Sequence, residues 1–160
     1  MIYVLQVLTG KELSVRTELL RRGISAEVPR ERILIRKDGL WSKKIKLLFP
    51  GYVFTDINYC AETFHKINPV PDVIKFLGQP TPLHDREAEI IRWLSNGGEV
   101  IEPSVINFDS DGNITGYEGF LNGRESEIKY LNLRQKKARI EVQFGGKIHR
   151  ANISVETKSE

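Results

Sequence analysis

The sequence predicts an α+β protein in two parts, an N-terminal ferredoxin-like α/β sandwich, an antiparallel sheet with helices on one face, and a C-terminal small β-barrel. Three observations predict it. Residues 1–96 alternate strand-like and helix-like periods in the order β-α-β-β-α-β-α. Residues 97–112, "GGEVIEPSVINFDSDG", carry Gly, Pro and acids without sustained periodicity, as a linker does. Residues 113–160 are dominated by strand-like runs.

The elements follow in order. "YVLQVL" (3–8) is an apolar strand. "TGKELSVRTELLRRG" predicts a helix from about residue 10 to residue 22, with Thr9 as N-cap and Gly23 as stop. At 100° per residue its Leu13, Val15, Leu19 and Leu20 share one arc, and Lys11, Ser14, Glu18, Arg21 and Arg22 take the other. "RERILIRKDGLWSKKIKL" is a hairpin, because two strand-like runs flank an Asp-Gly turn signal. "GYVFTDI" is the next strand, "AETFHKI" a short helix ended by Asn-Pro, and "DVIKFLG" a strand between Pro71 and Gly78. "HDREAEIIRWLSNGG" is a helix with His84 or Asp85 at its start and Gly97-Gly98 at its end. In the C-terminal part, "KKARIEVQFG" alternates cleanly: Ala138, Ile140, Val142 and Phe144 point one way, and Lys137, Arg139, Glu141 and Gln143 the other. With "ITGYEG", "RESEIKYL" and "KIHRANISVE" it makes a short barrel with a partly basic outside.

Composition narrows the function classes. Charged residues are 28% and hydrophobic residues 40%, a globular balance. No apolar run approaches the ~20 residues of a membrane span. The N-terminus "MIYVLQVLTGKE" lacks the basic region and cleavage site of a signal peptide, so a cytoplasmic protein without membrane contact is expected. Cys60 is the only cysteine, which excludes an internal disulfide and argues against a cysteine zinc site. His65, His84 and His149 have no neighbour at metal-ligand spacing. There is no serine-nucleophile motif and no phosphate-binding glycine loop, and the "DSDG" of Asp109 and Asp111 lacks the final Glu of a calcium loop. The expectation is a non-enzyme with no metal and no cofactor. The net charge of +3 and pI near 9.0 are compatible with nucleic acid but weak evidence alone.

One stretch carries the functional question. "LFPGYVF" (48–54) packs Phe49, Tyr52 and Phe54 into seven residues after a basic run. In a strand, Tyr52, Phe54 and Asp56 share one face, and Val53, Thr55 and Ile57 the other. Both faces therefore carry apolar side chains, whereas a sheet covered on one side should be apolar on one. Either both faces are core, or one awaits a partner.

"YVLQVLTGKE", "KLLFPGYVF" and "FLGQPTPLHDREAEII" together resemble the NGN domain of the NusG family of transcription elongation factors. "EGFLNGRESEIKYLNLRQKKARIEVQFGGK" resembles the KOW motif that follows it there, with Ser126 at the motif's third glycine and Phe120 where a proline usually follows Gly119. The stretch "EPSVINFDSDGNITGYEGFLNGRE" is similar to the specialised LoaP branch of that family, which acts on chosen operons. The resemblance implies an NGN domain over 1–96, a linker over 97–112 and an SH3-like KOW barrel over 113–160. It implies a monomeric elongation and antitermination factor that grips a coiled coil on the RNA polymerase clamp through Phe49, Tyr52 and Phe54, with Phe76 on the same surface. It also implies non-template DNA contact by Lys11, Arg21 and Arg22, for which a solvated helix face is the plain alternative. For the barrel it implies nascent RNA-hairpin binding by Arg124, Lys129, Arg134, Lys136, Lys137, Arg139, Lys147 and Arg150, or instead a ribosomal protein or termination factor. A standalone KOW-type RNA-binding or ribosome-associated module is the alternative function.

Overall fold

A computed structural model describes residues 1–159. The elements run β1 (Ile2–Val7), α1 (Glu12–Arg21), β2 (Arg30–Lys37), β3 (Leu40–Leu47), β4 (Tyr52–Asp56), α2 (Ala61–Ile67), β5 (Val73–Phe76), α3 (Asp85–Ser95), β6 (Ser104–Phe108), β7 (Ile114–Glu118), β8 (Tyr130–Asn132), β9 (Lys137–Phe144) and β10 (Lys147–Ser159). The class is α+β, as the periodicities predict.

β1 lies at the centre of an antiparallel sheet of order β4-β1-β5. Its register sets Val4 opposite Phe54 and Leu5 opposite Val53, so alternate residues of both strands line opposite faces. On one face Tyr3, Leu5, Val7, Val53 and Phe76 pack under Val15 and Leu19 of α1 and Ile67 of α2. On the other, Ile2, Val4 and Phe54 meet Ile90, Ile91 and Leu94 of α3. The expectation of helices on one face is therefore corrected: α3 lies across the sheet from α1 and α2. The cause is the apolar content of both faces of β1 and β4, each of which needs a cover.

β2 and β3 form a separate ribbon, turned at Asp38-Gly39 with both φ positive (53° and 76°), as a two-residue hairpin turn requires. β6 to β10 make a five-stranded sheet of order β7-β6-β10-β9-β8. Ala138, Ile140, Val142 and Phe144 of β9 are all buried, which is the inward face predicted by alternation. β6 falls inside the stretch 97–112 expected as linker. It pairs in parallel with the end of β10, Ser104 opposite Val155, so the C-terminal sheet takes its first strand at Ser104 and not after residue 112. "SVINF" alternates buried Ser104 and Ile106 with half-buried neighbours, a signal too short to separate from loop.

Helix ends differ from expectation for local reasons. α1 begins at Glu12 with Lys11 at the N-cap, and Thr9 does not cap it. Gly10 has φ +94° and so stands outside the helix. Val15 and Leu19 are buried, while Leu13 and Leu20 sit half-exposed at the edges of the apolar arc. α3 ends at Asn96 in the left-handed conformation (φ 51°), one residue before the glycine pair.

The buried Glu12 fastens this half together. Its carboxylate accepts the Gly10 N–H at 2.7 Å and the Gly51 N–H at 2.8 Å. Glu12→Ala leaves two partly buried N–H donors without partners, which should cost about 1–3 kcal/mol. The midpoint of denaturant unfolding checks this. An unchanged midpoint would show that water replaces the carboxylate.

Candidate functional site

"LFPGYVF" becomes a turn and a strand. Pro50 and Gly51 occupy a turn closed by the Tyr52 N–H donating to the Phe49 carbonyl at 3.3 Å. Gly51 holds φ +88°, which the third position of a Pro-Gly type II turn demands. The turn throws Phe49 back beside Phe54, ring centroids 5.7 Å apart and edge to face. Tyr52, two residues before Phe54, joins the same face.

That face is covered by the barrel. Phe144, the last residue of β9, stands edge-on to Phe49 at 5.7 Å, to Phe54 at 5.5 Å and to Tyr52 at 5.1 Å. His149 of β10 stacks flat on Phe144, 3.6 Å between centroids, and lies 5.4 Å from Tyr52 and 6.4 Å from Phe49. Phe54 is 1% exposed and Phe49 4%. Edge-to-face aromatic pairs each add roughly 0.5–1.5 kcal/mol beyond burial of their area. Gly145 comes so close to Leu77 that a Cβ there would lie 2.6 Å from Leu77 Cδ2.

α3 and the ribbon complete the hold. Trp93 stacks on Phe120 at 4.7 Å, and the Arg124 guanidinium lies 5.1 Å above the Trp93 ring. Arg124 also pairs with Glu89, and this hydrogen bond holds the Glu89 carboxyl below its usual range. The Gln143 N–H donates to Glu87 at 3.1 Å, and Arg86 pairs with Glu127 at 3.5 Å. On the ribbon side, buried Glu31 accepts the Ser154 N–H at 2.9 Å and the Ser154 hydroxyl at 3.3 Å. Burial pushes the Glu31 carboxyl up, and the Ser154 bonds oppose that.

The structure gathers some expected residues and separates others. Phe49, Tyr52 and Phe54 form one cluster. Phe76 does not belong to it: it pairs opposite Leu5, is buried on the other face, and meets Tyr59 edge-on at 5.3 Å. Of the helix cations, Lys11 is exposed, but Arg21 and Arg22 both bind Glu18, and Arg22 also donates to the Lys66 carbonyl. Hydrogen bonds from the two arginines hold the Glu18 carboxyl down at about 2. Two of the barrel bases are held in ion pairs. Arg124 faces α3, and Arg150 pairs with Glu141 at 3.4 Å. Lys129, Arg134, Lys136 and Lys147 are exposed and Lys137 is half-buried. Arg139 lies over the exposed Tyr130 ring at 5.1 Å, next to Lys129.

Sequence reasoning missed the covering residues. Phe144 carried a signal as the last inward residue of β9. His149 carried none beyond its place three residues after the Gly-Gly turn. Among the described residues no cluster of His, Cys, Asp and Glu could hold a metal ion.

The family model described as "Transcription termination factor nusG" matches residues 2–92. The transcription termination/antitermination protein NusG of Pseudomonas aeruginosa is 29% identical over 157 residues, covering 88% of this chain and 85% of that protein. NusG of Neisseria meningitidis is 28% identical, covering 91% and 89%. A solved structure titled "Domain interaction in Thermotoga maritima NusG" aligns over 96% of this chain and 92% of its own, with a TM-score of 0.54 and 20% identity, a likeness of fold.

Burial of the stacked His149 predicts a pH-sensitive interface. Burial lowers its pKa from the usual 6.5, against the weaker opposing effect of the Phe144 carbonyl, which lies 3.2 Å from Nε2. A ring freed by opening regains the ordinary value, so the freed state binds the proton better. The closed contact should be at full strength above about pH 6.5 and weaken as pH falls towards the lowered pKa. Amide chemical shifts of Tyr52 and Phe54 followed from pH 7.5 to 5 check this, and His149→Phe should abolish the dependence. A His149 titrating at 6.5 or above would contradict it.

Proposed function

The chain belongs to the NusG family of transcription factors, and from that premise we propose that it is an elongation and processive antitermination factor whose polymerase-docking face is kept under its own barrel. The observation that carries this reading is the single cluster of Phe49, Tyr52 and Phe54 beneath Phe144 and His149. Aromatic side chains supply large contact area at low entropy cost, which suits them as interface anchors. A face that holds one apolar partner by area and ring geometry can hold another in its place.

Docking on the clamp of RNA polymerase then requires the barrel to leave. The contacts between the halves support a separable pair of units: several are polar, such as Arg86 with Glu127, while Phe49 and Phe54 at the aromatic centre are buried. Once displaced, the barrel is free for a second partner. An RNA hairpin fits the edge formed by β8 and β9, where Tyr130 and Arg139 stack and Lys129 and Lys137 flank them. Phosphates would take the cations and an unpaired base the ring. The link to an already docked half supplies a high effective concentration, so this second contact need not be strong. The likeness of residues 102–125 to the LoaP branch agrees with a factor that acts on chosen operons, because a covered docking face limits action to complexes that open it.

Two variants separate the steps. Arg124→Glu sets like charges beside Glu89 and removes the cation from Trp93, so it should loosen the barrel and tighten polymerase binding several-fold. Adding Glu89→Arg should reverse the gain. In the loosened background, Tyr52→Ala should weaken polymerase binding by about 2 kcal/mol, roughly 30-fold. Equal affinity of both backgrounds for polymerase, with no effect of Tyr52→Ala, would remove the docking reading.

A further inference from the structure

The β2–β3 ribbon holds charge out of proportion to its size. Residues 30–47 contain seven Lys and Arg against two Asp and Glu, a net of +5, while the whole chain is +3. The other residues therefore sum to −2. Most of these charges are free. Arg32 pairs with Glu102, and Arg30 donates to the carbonyls of Val28 and Gly98. Arg36, Lys37, Lys43, Lys44 and Lys46 are exposed and form no ion pair among the described residues.

Apolar side chains are interleaved with them. Cross-strand register puts Arg32 opposite Ile45, Leu34 opposite Lys43 and Arg36 opposite Trp41, so all six share one face. Trp41 is 66% exposed, and the Arg36 guanidinium lies 5.8 Å from its ring centroid. Leu34 and Trp41 also form one wall of a groove of about 660 Å³ whose opposite wall carries Lys136 and Lys137.

We propose that the β2–β3 ribbon is a binding site for single-stranded nucleic acid, with Trp41 as a stacking platform for a base and Arg36 and Lys43, on the same face, as phosphate contacts. An exposed indole flanked by unpaired cations offers the two things an unpaired strand needs, a flat apolar surface and local positive charge. A membrane surface fits less well, because the lysines alternate with the apolar residues and Leu40 lies on the opposite face, so no continuous apolar side exists to enter lipid. An acidic protein segment would use the cations but not the bare indole. The site is distinct from the aromatic cluster under the barrel and from the β8–β9 edge, and it does not depend on polymerase docking.

The test uses the full chain. Trp93→Phe leaves Trp41 as the only tryptophan and thus as a local reporter. Titration with a 12-nucleotide oligo-dT should quench its fluorescence. If about four phosphates are neutralised, raising salt from 50 to 200 mM should weaken binding about 50-fold. Arg36→Gln with Lys43→Gln should roughly halve that salt slope. Trp41→Ala, in the chain that retains Trp93, should weaken binding of a labelled oligonucleotide at least 5-fold by anisotropy. That second readout holds even if Trp93→Phe disturbs the fold. Oligonucleotide binding without quenching, and unaffected by the ribbon substitutions, would place the strand on the barrel and overturn the proposal. Equal quenching by a duplex of the same length would overturn the single-strand assignment. Quenching by anionic lipid vesicles or polyglutamate but not by oligo-dT would overturn the nucleic-acid assignment.

Discussion

The edge-on packing of Phe144 and its stacked His149 against Phe49, Tyr52 and Phe54 is the contact on which the rest of the structure depends. It answers a constraint set by β1 and β4. Both strands are apolar on both faces, so the three-stranded sheet needs two covers. α1 and α2 complete one of them. α3 is a single helix and covers only the part of the second face near Ile2, Val4 and Phe54. The remainder, around Phe49 and Tyr52, is left for something outside this half, and the barrel fills it. The polar contacts at the rim then fix the barrel's orientation: Glu31 with Ser154 on one side, Glu87 and Glu89 with Gln143 and Arg124 on the other.

A cover built from a separate sheet differs in kind from one built from a helix of the same unit. Removing α3 would expose the buried Ile90, Ile91 and Leu94 and destroy the core. Removing the barrel exposes the aromatic cluster together with Trp93, Leu77 and Glu31. The closed arrangement therefore acts as a competitor for the proposed polymerase contact. If the open form is a fraction f of the population, the apparent dissociation constant for a partner that needs the open face is raised by 1/f. Interfaces of this type set activity by a population, and a His149 pKa lowered by burial would let proton concentration enter that population.

Much of this was legible in the sequence, and the gaps have physical reasons. Alternation in "GYVFTDI" correctly divides Phe54 from Val53, because side-chain period in a strand is local. Alternation in residues 137–144 correctly gives the inward face of β9. The two-faced apolar pattern even signals that a second cover exists. What it cannot say is which surface provides that cover, since Phe144 and His149 lie some 90 residues further on and reach Tyr52 only through tertiary packing. Phe76 failed for a related reason: its face depends on the register of β5 against β1, which is not encoded locally. Glu12 was invisible because a buried carboxylate bound to two backbone N–H groups looks, in sequence, like any first-turn helix acid. Arg21 and Arg22 looked free because their shared partner, Glu18, lies one helical turn away on the same face.

The two surfaces to which partners are assigned differ in availability, and the difference orders their use. The aromatic face is buried in the closed form, whereas the ribbon is exposed in it: Phe54 is 1% exposed and Trp41 66%. Charge reinforces this. The ribbon's field extends about one Debye length, roughly 8 Å at physiological salt, whereas ring packing acts only at contact. A polyanion can therefore be met while the barrel is still in place. The groove between the ribbon and Lys136–Lys137 exists only while the barrel is seated, because its two walls belong to the two halves. A strand bound there would hold the halves together, and a strand bound to the outer face of the ribbon alone would not. Whether nucleic acid favours the closed or the open form thus depends on which side of Trp41 it occupies, and the coupling between the ribbon and the aromatic face takes its sign from that single geometric choice.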